Sequence, residues 1–101
     1  MRALVIDDER LARKELITLL NQLETVEVVG EAVNVDDAKE KIEQLQPDVV
    51  FLDIQMPEKT GFDLLEELDF VPHVIFTTAY DEYALKAFQV NAFYLFIIGF
   101  I

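Results

Sequence analysis

The sequence predicts an α/β protein built on one open, parallel, doubly wound β-sheet. Three observations predict it. Five short apolar runs alternate with segments of helical period along the 101 residues. Three of the runs, residues 3–6, 49–52 and 74–76, are continuous rather than alternating, as in strands covered on both faces. Acidic or hydroxyl residues close those same three runs, at the strand ends where open parallel sheets bind ligands.

Each element can be justified in chain order. The first run ends at Asp7 and Asp8. Ala12, Leu16, Leu19, Leu20 and Leu23 then recur at the spacing of one buried helical stripe, with Arg10, Arg13, Lys14 and Glu15 at other, mostly solvated positions. The second run, 26–32, contains Glu27 and Glu31, which places it at a sheet edge. Ala38, Ile42 and Leu45 form the next stripe, opened by Asn34 as an N-cap and closed by Pro47. The third run ends at Asp53. Thr60 and Asp63 have the spacing of a capping box for a third helix carrying Phe62, Leu65 and Leu68, and Gly61 serves a turn. His73, beside Pro72, reads as a solvated loop residue before the fourth run, which ends at Thr77 and Thr78. Ala84, Ala87 and Phe88 share one face of a fourth helix that starts near Tyr80, with Tyr80 and Tyr83 on its surface. The fifth run covers 93–98. Strand–helix alternation of this kind implies right-handed crossovers and one domain over residues 1–101.

Composition narrows the function. Eight Lys and Arg stand against 20 Asp and Glu, a formal charge of −12. Phosphates repel such a chain, which argues against direct binding of nucleic acid or of an anionic membrane. A basic partner or a cation site fits it. Cysteine is absent, which excludes disulfides, thiolate zinc sites and a cysteine nucleophile, and a lone histidine excludes a His-rich metal centre. Residues 1–11 hold no signal-peptide core, so a cytoplasmic protein is expected. After Lys86 no charged residue occurs. The apolar end, 92–101, is shorter than the roughly 20 residues that span a bilayer and reads as a fifth strand with a hydrophobic end.

Asp7, Asp8 and Asp53 are the candidate site. With strand order 2-1-3-4-5, strands one and three are neighbours, and their carboxyl ends face the crevice at which the winding direction reverses. Three carboxylates gathered there need a cation or a retained proton. An oxygen-only donor set suits Mg²⁺. Asp53, placed between an apolar strand and the Met56-Pro57 loop, is the candidate nucleophile toward phosphorus. A hydroxyl at the end of strand four could hydrogen-bond a phosphoryl oxygen on Asp53. The plainer alternatives are that Asp8 caps the first helix and that Thr77 or Thr78 caps the fourth.

Val5-Ile6-Asp7-Asp8-Glu9, Val50-Phe51-Leu52-Asp53-Ile54-Gln55-Met56-Pro57, Thr60-Gly61-Phe62-Asp63-Leu64-Leu65 and Val74-Ile75-Phe76-Thr77-Thr78-Ala79-Tyr80 together resemble the receiver domain of two-component response regulators. The stretch from Ala79 to Phe88 looks most like the LytTR (AlgR/LytR-type) branch. The resemblance implies a flavodoxin-like (CheY-like) fold. It implies a phosphoryl group taken by Asp53 from the phosphohistidine of a sensor histidine kinase. It implies Mg²⁺ held by Asp7, Asp8, Asp53 and the backbone carbonyl of Gln55, with Thr78 as the switch hydroxyl and Tyr94 at the aromatic switch position.

The likeness breaks after Phe93. The family's lysine at the end of strand five, and the proline after it, are replaced near Ile97 and Ile98, and no other lysine is obviously placed to substitute. The last helix and a DNA-binding output domain are missing from the pattern, as in a truncated or frame-shifted gene product. Weaker charge stabilisation of a phosphorylated state is expected. So is self-association to a homo-oligomer through strand five, helix four and the apolar tail. The competing readings are a non-phosphorylated truncated receiver acting as an interaction or dimerisation module, and a Mg²⁺-dependent phosphohydrolase. The last would need a second acid where Gln55 stands.

Overall fold

The computed structural model describes residues 1–69, 72–78 and 94–97. Its elements are β1 (Arg2–Ile6), α1 (Arg10–Leu20), β2 (Glu27–Ala32), α2 (Val35–Leu45), β3 (Val49–Asp53), α3 (Gly61–Glu67), β4 (His73–Thr78) and β5 (Tyr94–Ile97). The strands form one sheet in the order β2-β1-β3-β4-β5, the expected order, and every pairing is parallel. The acidic second strand is an edge, as its glutamates require, and the other edge is β5. The β1–β2 register slips between Ala3 and Leu4. His73 is the first residue of β4 rather than a loop residue, and it is exposed.

The larger core lies on the face covered by α2 and α3. Leu4, Ile6, Val50, Leu52, Val74 and Phe76 from the sheet pack with Val35, Ala38, Ile42, Phe62 and Leu64 from the helices. Each large side chain buried here contributes about 1.5–3 kcal/mol. The Phe62 and Phe76 rings lie 5.2 Å apart at a tilt. Leu64, fully buried, belongs to this core although the helical stripe read from sequence passed over it. Leu45, Leu65 and Leu68 pack against its margin.

Helix ends follow local chemistry. The Asn34 side chain accepts a hydrogen bond from the Asp37 amide, and Gln46 closes α2 in the left-handed region at φ 46°. Arg2 donates through Nη1 to the last carbonyls of that helix, Leu45 at 2.6 Å and Gln46 at 3.1 Å. Thr60 and Asp63 make the reciprocal capping box expected of them.

The opposite face is covered less fully. Ala3 and Val5 are fully buried there. Phe51 and Ile75, which follow Val5 in register across β3 and β4, are only partly buried. The stripe of α1 is correspondingly corrected. Only Leu20 is buried in that helix; Ala12 and Leu16 are half-buried, and Leu19 and Leu23 are 60% and 51% exposed. Helix α1 lies over β1 and β2. The expected fourth helix, with Tyr80, Tyr83, Ala84, Ala87 and Phe88, and the tail beyond Ile97 lie outside the described residues. No described helix is long and apolar enough to cross a membrane.

Candidate functional site

The β1–β3 register decides the site. Ile6 pairs with Leu52, so the next residues, Asp7 and Asp53, come abreast at the carboxyl ends of adjacent strands. Asp8 follows in the turn toward α1. One carboxylate oxygen from each of Asp7, Asp8 and Asp53 lies within 4.8 Å of the others, and all three residues are half-buried.

Main-chain bonds fix this cluster. Asp7 donates its amide to the Ala32 carbonyl at 3.1 Å, and its Oδ1 accepts from the Glu9 amide at 2.8 Å. Arg13 donates through Nη1 to the Asp7 carbonyl at 2.9 Å and through Nε to Glu31 at 2.6 Å, which ties α1 to the edge strand behind the site. The N-cap of α1 is Glu9, with no side-chain capping bond, so Asp8 does not serve as the cap. That leaves its carboxylate to the cluster.

Asp53 is the last residue of β3, and its Oδ1 accepts from the Gln55 amide at 3.3 Å. The loop after it is tightly held. Ile54 and Met56 are buried, Glu58 takes a left-handed conformation at φ 68°, and the Gly61 amide donates to the Ile54 carbonyl at 2.9 Å. Gly61 opens α3 rather than forming a turn. A Cβ there would stand 2.7 Å from the Asp53 carbonyl oxygen and 3.1 Å from Leu52. The hint in the sequence was a glycine just inside a capping box, where other residues give a better helix.

The electrostatics follow from the crowding. Burial, then the neighbouring charge of Asp7, and further that of Asp8 and Glu9, push the Asp53 carboxyl up to about 7 from 3.8, against the lowering effect of the Gln55 amide. Asp7 is also raised, chiefly by burial and then by Asp8 and Glu9, while the Glu9 amide and Arg13 oppose the shift. Carboxylates that resist ionising together, with only oxygen donors around them, fit a hard divalent cation with waters completing its shell.

Around the cluster, Thr77 is buried and pairs with Asp53 across β3 and β4. Thr78 pairs with Ile97, and Tyr94 with Ile75, in the backbone register of β4 and β5. The side chains of Thr78 and Tyr94 lie outside what is described. Lys59, in the loop after Asp53, is committed elsewhere. Its ammonium contacts Asp36 at 3.2 Å and Glu67 at 3.3 Å, and these bonds raise its pKa.

A parallel sheet in this order, with three carboxylates converging where its winding reverses, defines a doubly wound α/β protein with a ligand-binding crevice at its switch point. Residues 3–97 match the response regulator receiver domain, and the chain belongs to that family. It is 56% identical over 95 residues to an uncharacterized response regulatory protein of Vibrio cholerae, covering 92% of this chain and 40% of that protein. It is 48% identical to the sensory transduction protein LytT of Bacillus cereus, covering 91% and 39%. The chain thus spans about two fifths of the length of these relatives. Among solved structures, the response regulatory domain of protein mrkE from Klebsiella pneumoniae superposes with a TM-score of 0.87 at 31% identity, over 100% of this chain and 85% of that one.

Proposed function

We propose that this receiver domain is a phosphoacceptor switch of a two-component system. Asp53 takes a phosphoryl group from the phosphohistidine of a sensor histidine kinase. One observation carries the reading: Asp7, Asp8 and Asp53, all half-buried, each bring one carboxylate oxygen to within 4.8 Å of the others. A carboxylate oxygen of Asp53 attacks phosphorus, an O–P bond forms, the P–N bond breaks, and its electron pair returns to the imidazole of the donor. The product is an acyl phosphate that stays on the protein, so the domain is regulatory rather than an enzyme with a free product.

Asp7, Asp8, Asp53 and the Gln55 carbonyl are the residues that would hold Mg²⁺. When bound, the ion offsets charge on the transferring phosphoryl group. The chain's own part is positioning. Arg13 and the Glu9 amide fix Asp7, and the Gln55 amide and the packed 54–60 loop fix Asp53. In this reading Thr78 donates its hydroxyl to a phosphoryl oxygen, Tyr94 takes the aromatic switch position, and the protein works in the cytoplasm, where it meets its kinase. With Lys59 held by Asp36 and Glu67, charge stabilisation of the phosphorylated state is weaker in this reading.

The runner-up is a non-phosphorylated interaction module. The phosphohydrolase reading is disfavoured because Gln55 occupies the position of its second acid.

Incubation with Mg²⁺ and acetyl phosphate tests the proposal. The expected result is a mass gain of one phosphoryl group that hydroxylamine removes and that Asp53→Asn abolishes. No gain in the wild type, with the fold intact by circular dichroism, would sink it.

A further inference from the structure

Glu31 lies on the acidic edge strand, and half of its side chain is exposed. The fold nevertheless gives it a partner on each face of the sheet. Its carboxylate accepts from Nε of Arg13 on α1 at 2.6 Å. Its carbonyl accepts from the Lys41 ammonium on α2, which also contacts Asp37 at 3.3 Å. The end of β2 is thereby fastened to both neighbouring helices.

Arg13 carries this hold to the acidic cluster. Its side chain is only 11% exposed, and its Nη1 donates to the Asp7 carbonyl at 2.9 Å. That carbonyl belongs to the peptide joining Asp7 to Asp8, from which both carboxylates hang. The Asp7 amide in turn donates at 3.1 Å to the carbonyl of Ala32, the residue after Glu31. The end of β2 thus grips Asp7 on both sides, directly through Ala32 and, by way of Arg13, through Glu31.

We infer that the Glu31–Arg13 pair is a positioning device that sets the Mg²⁺ affinity of the cluster by fixing the Asp7–Asp8 peptide, with neither side chain touching the ion. The inference rests on the reading of Asp7, Asp8 and Asp53 as a cation site. Two effects of Arg13 oppose each other there. Its charge repels a divalent cation, so on charge alone its removal would tighten binding. Its hydrogen bonds order the peptide that presents two of the carboxylates, so their loss would weaken binding. Geometry outweighs charge for two reasons. Glu31, at 2.6 Å, offsets the guanidinium charge. The influence of that charge on the Asp7 carboxyl is also smaller than those of burial, the Glu9 amide and Asp8. Arginine is needed because one rigid planar group serves two acceptors, which a lysine ammonium does not reproduce.

Calorimetry of Mg²⁺ binding to the 101-residue chain, at pH 8 and constant ionic strength, tests the inference. Arg13→Gln is expected to weaken binding about tenfold although it removes a positive charge. Arg13→Lys, which keeps the charge, is expected not to restore the affinity. Lys14→Gln removes a charge from the exposed side of the same helix and should tighten binding slightly. Glu31→Gln should weaken binding by a smaller factor, and most of that effect should vanish in the Arg13→Gln background, because the two residues act as one unit. In phosphoryl uptake from acetyl phosphate, Arg13→Gln should raise the Mg²⁺ concentration for half-maximal rate by more than it lowers the rate at saturating Mg²⁺. Circular dichroism checks the fold of each variant. If Arg13→Gln does not fold, Glu31→Gln decides, since its side chain is half exposed. Unchanged affinity in Glu31→Gln, tighter binding in Arg13→Gln, full rescue by Arg13→Lys, or additive effects of the two residues would each overturn the inference. Wild-type protein that binds no Mg²⁺ would overturn the cation-site reading as well, whereas binding that the variants leave unchanged would overturn the positioning role alone.

Discussion

Gly61 stands against the main chain of Asp53, so close that a single added methyl would come within 2.7 Å of the Asp53 carbonyl oxygen. This contact fixes the start of α3 against the end of β3, and with it the loop that holds the site residue.

Gly61→Ala is expected to destabilise the fold by about 1–3 kcal/mol, because backbone must shift to admit the methyl. Ala is the better helix former, so a gain in stability would be the outcome if the contact were slack. Urea unfolding of the two proteins decides between them. The same substitution should slow phosphoryl uptake from acetyl phosphate, since it displaces Asp53.

The raised pKa of Asp53 gives stability a pH dependence with a definite sign. The folded state keeps a proton, up to about pH 7, that the unfolded chain releases near 3.8. This contribution is present in full below the unfolded value and is lost as pH rises through about 7. In metal-free buffer the melting temperature should therefore fall across that window and level off above it. Asp53→Asn should melt higher than the wild type at neutral pH and lose that component of the slope. A wild-type profile that rises from pH 4 to 7 would contradict the crowding of the three carboxylates.

Magnesium should reverse the trend. A cation competes with the retained protons, so its binding strengthens as pH rises and releases protons as it occurs. Titration of Mg²⁺ at pH 8 should raise the melting temperature more than at pH 5.5. Asp8→Asn, which removes one donor oxygen charge from the cluster, should weaken the effect at both. Calorimetry in two buffers of different ionisation enthalpy would count the protons.

Phe76 is fully buried and its ring packs 5.2 Å from that of Phe62 across the β4–α3 contact. Phe76→Ala should cost about 3–5 kcal/mol. A domain of this size has a total of about 5–15 kcal/mol, so the variant should unfold at markedly lower urea. Phe76→Leu, which leaves less empty volume, should retain more of that stability.

Much of this was legible in the chain itself. The continuous runs at 3–6, 49–52 and 74–76 became the three central strands, and Glu27 and Glu31 marked an edge. Asn34, Thr60 and Asp63 announced their helix starts because a cap is a local hydrogen bond that needs no distant partner. The acidic residues of the site were visible as strand-end aspartates. The stripe of α1 misled, since periodicity reports which side of a helix is apolar and not whether anything lies against it. Leu19 and Leu23 have the spacing of core residues and stand mostly in solvent.

The residues by themselves determined where strands and helices begin, which faces are apolar and which side chains could bind a cation, because those properties depend on neighbours within a turn or two. The strand order already implied that Asp7 and Asp53, 46 positions apart, converge; the pairing of β1 with β3 gave that convergence its register, setting Ile6 beside Leu52 and so the next residues abreast. Only the tertiary structure decided that Gly61 must lack a side chain and that Lys59 is spent on Asp36 and Glu67. Each of these is a contact between segments far apart in the chain, and no local pattern encodes which distant surface a segment will meet.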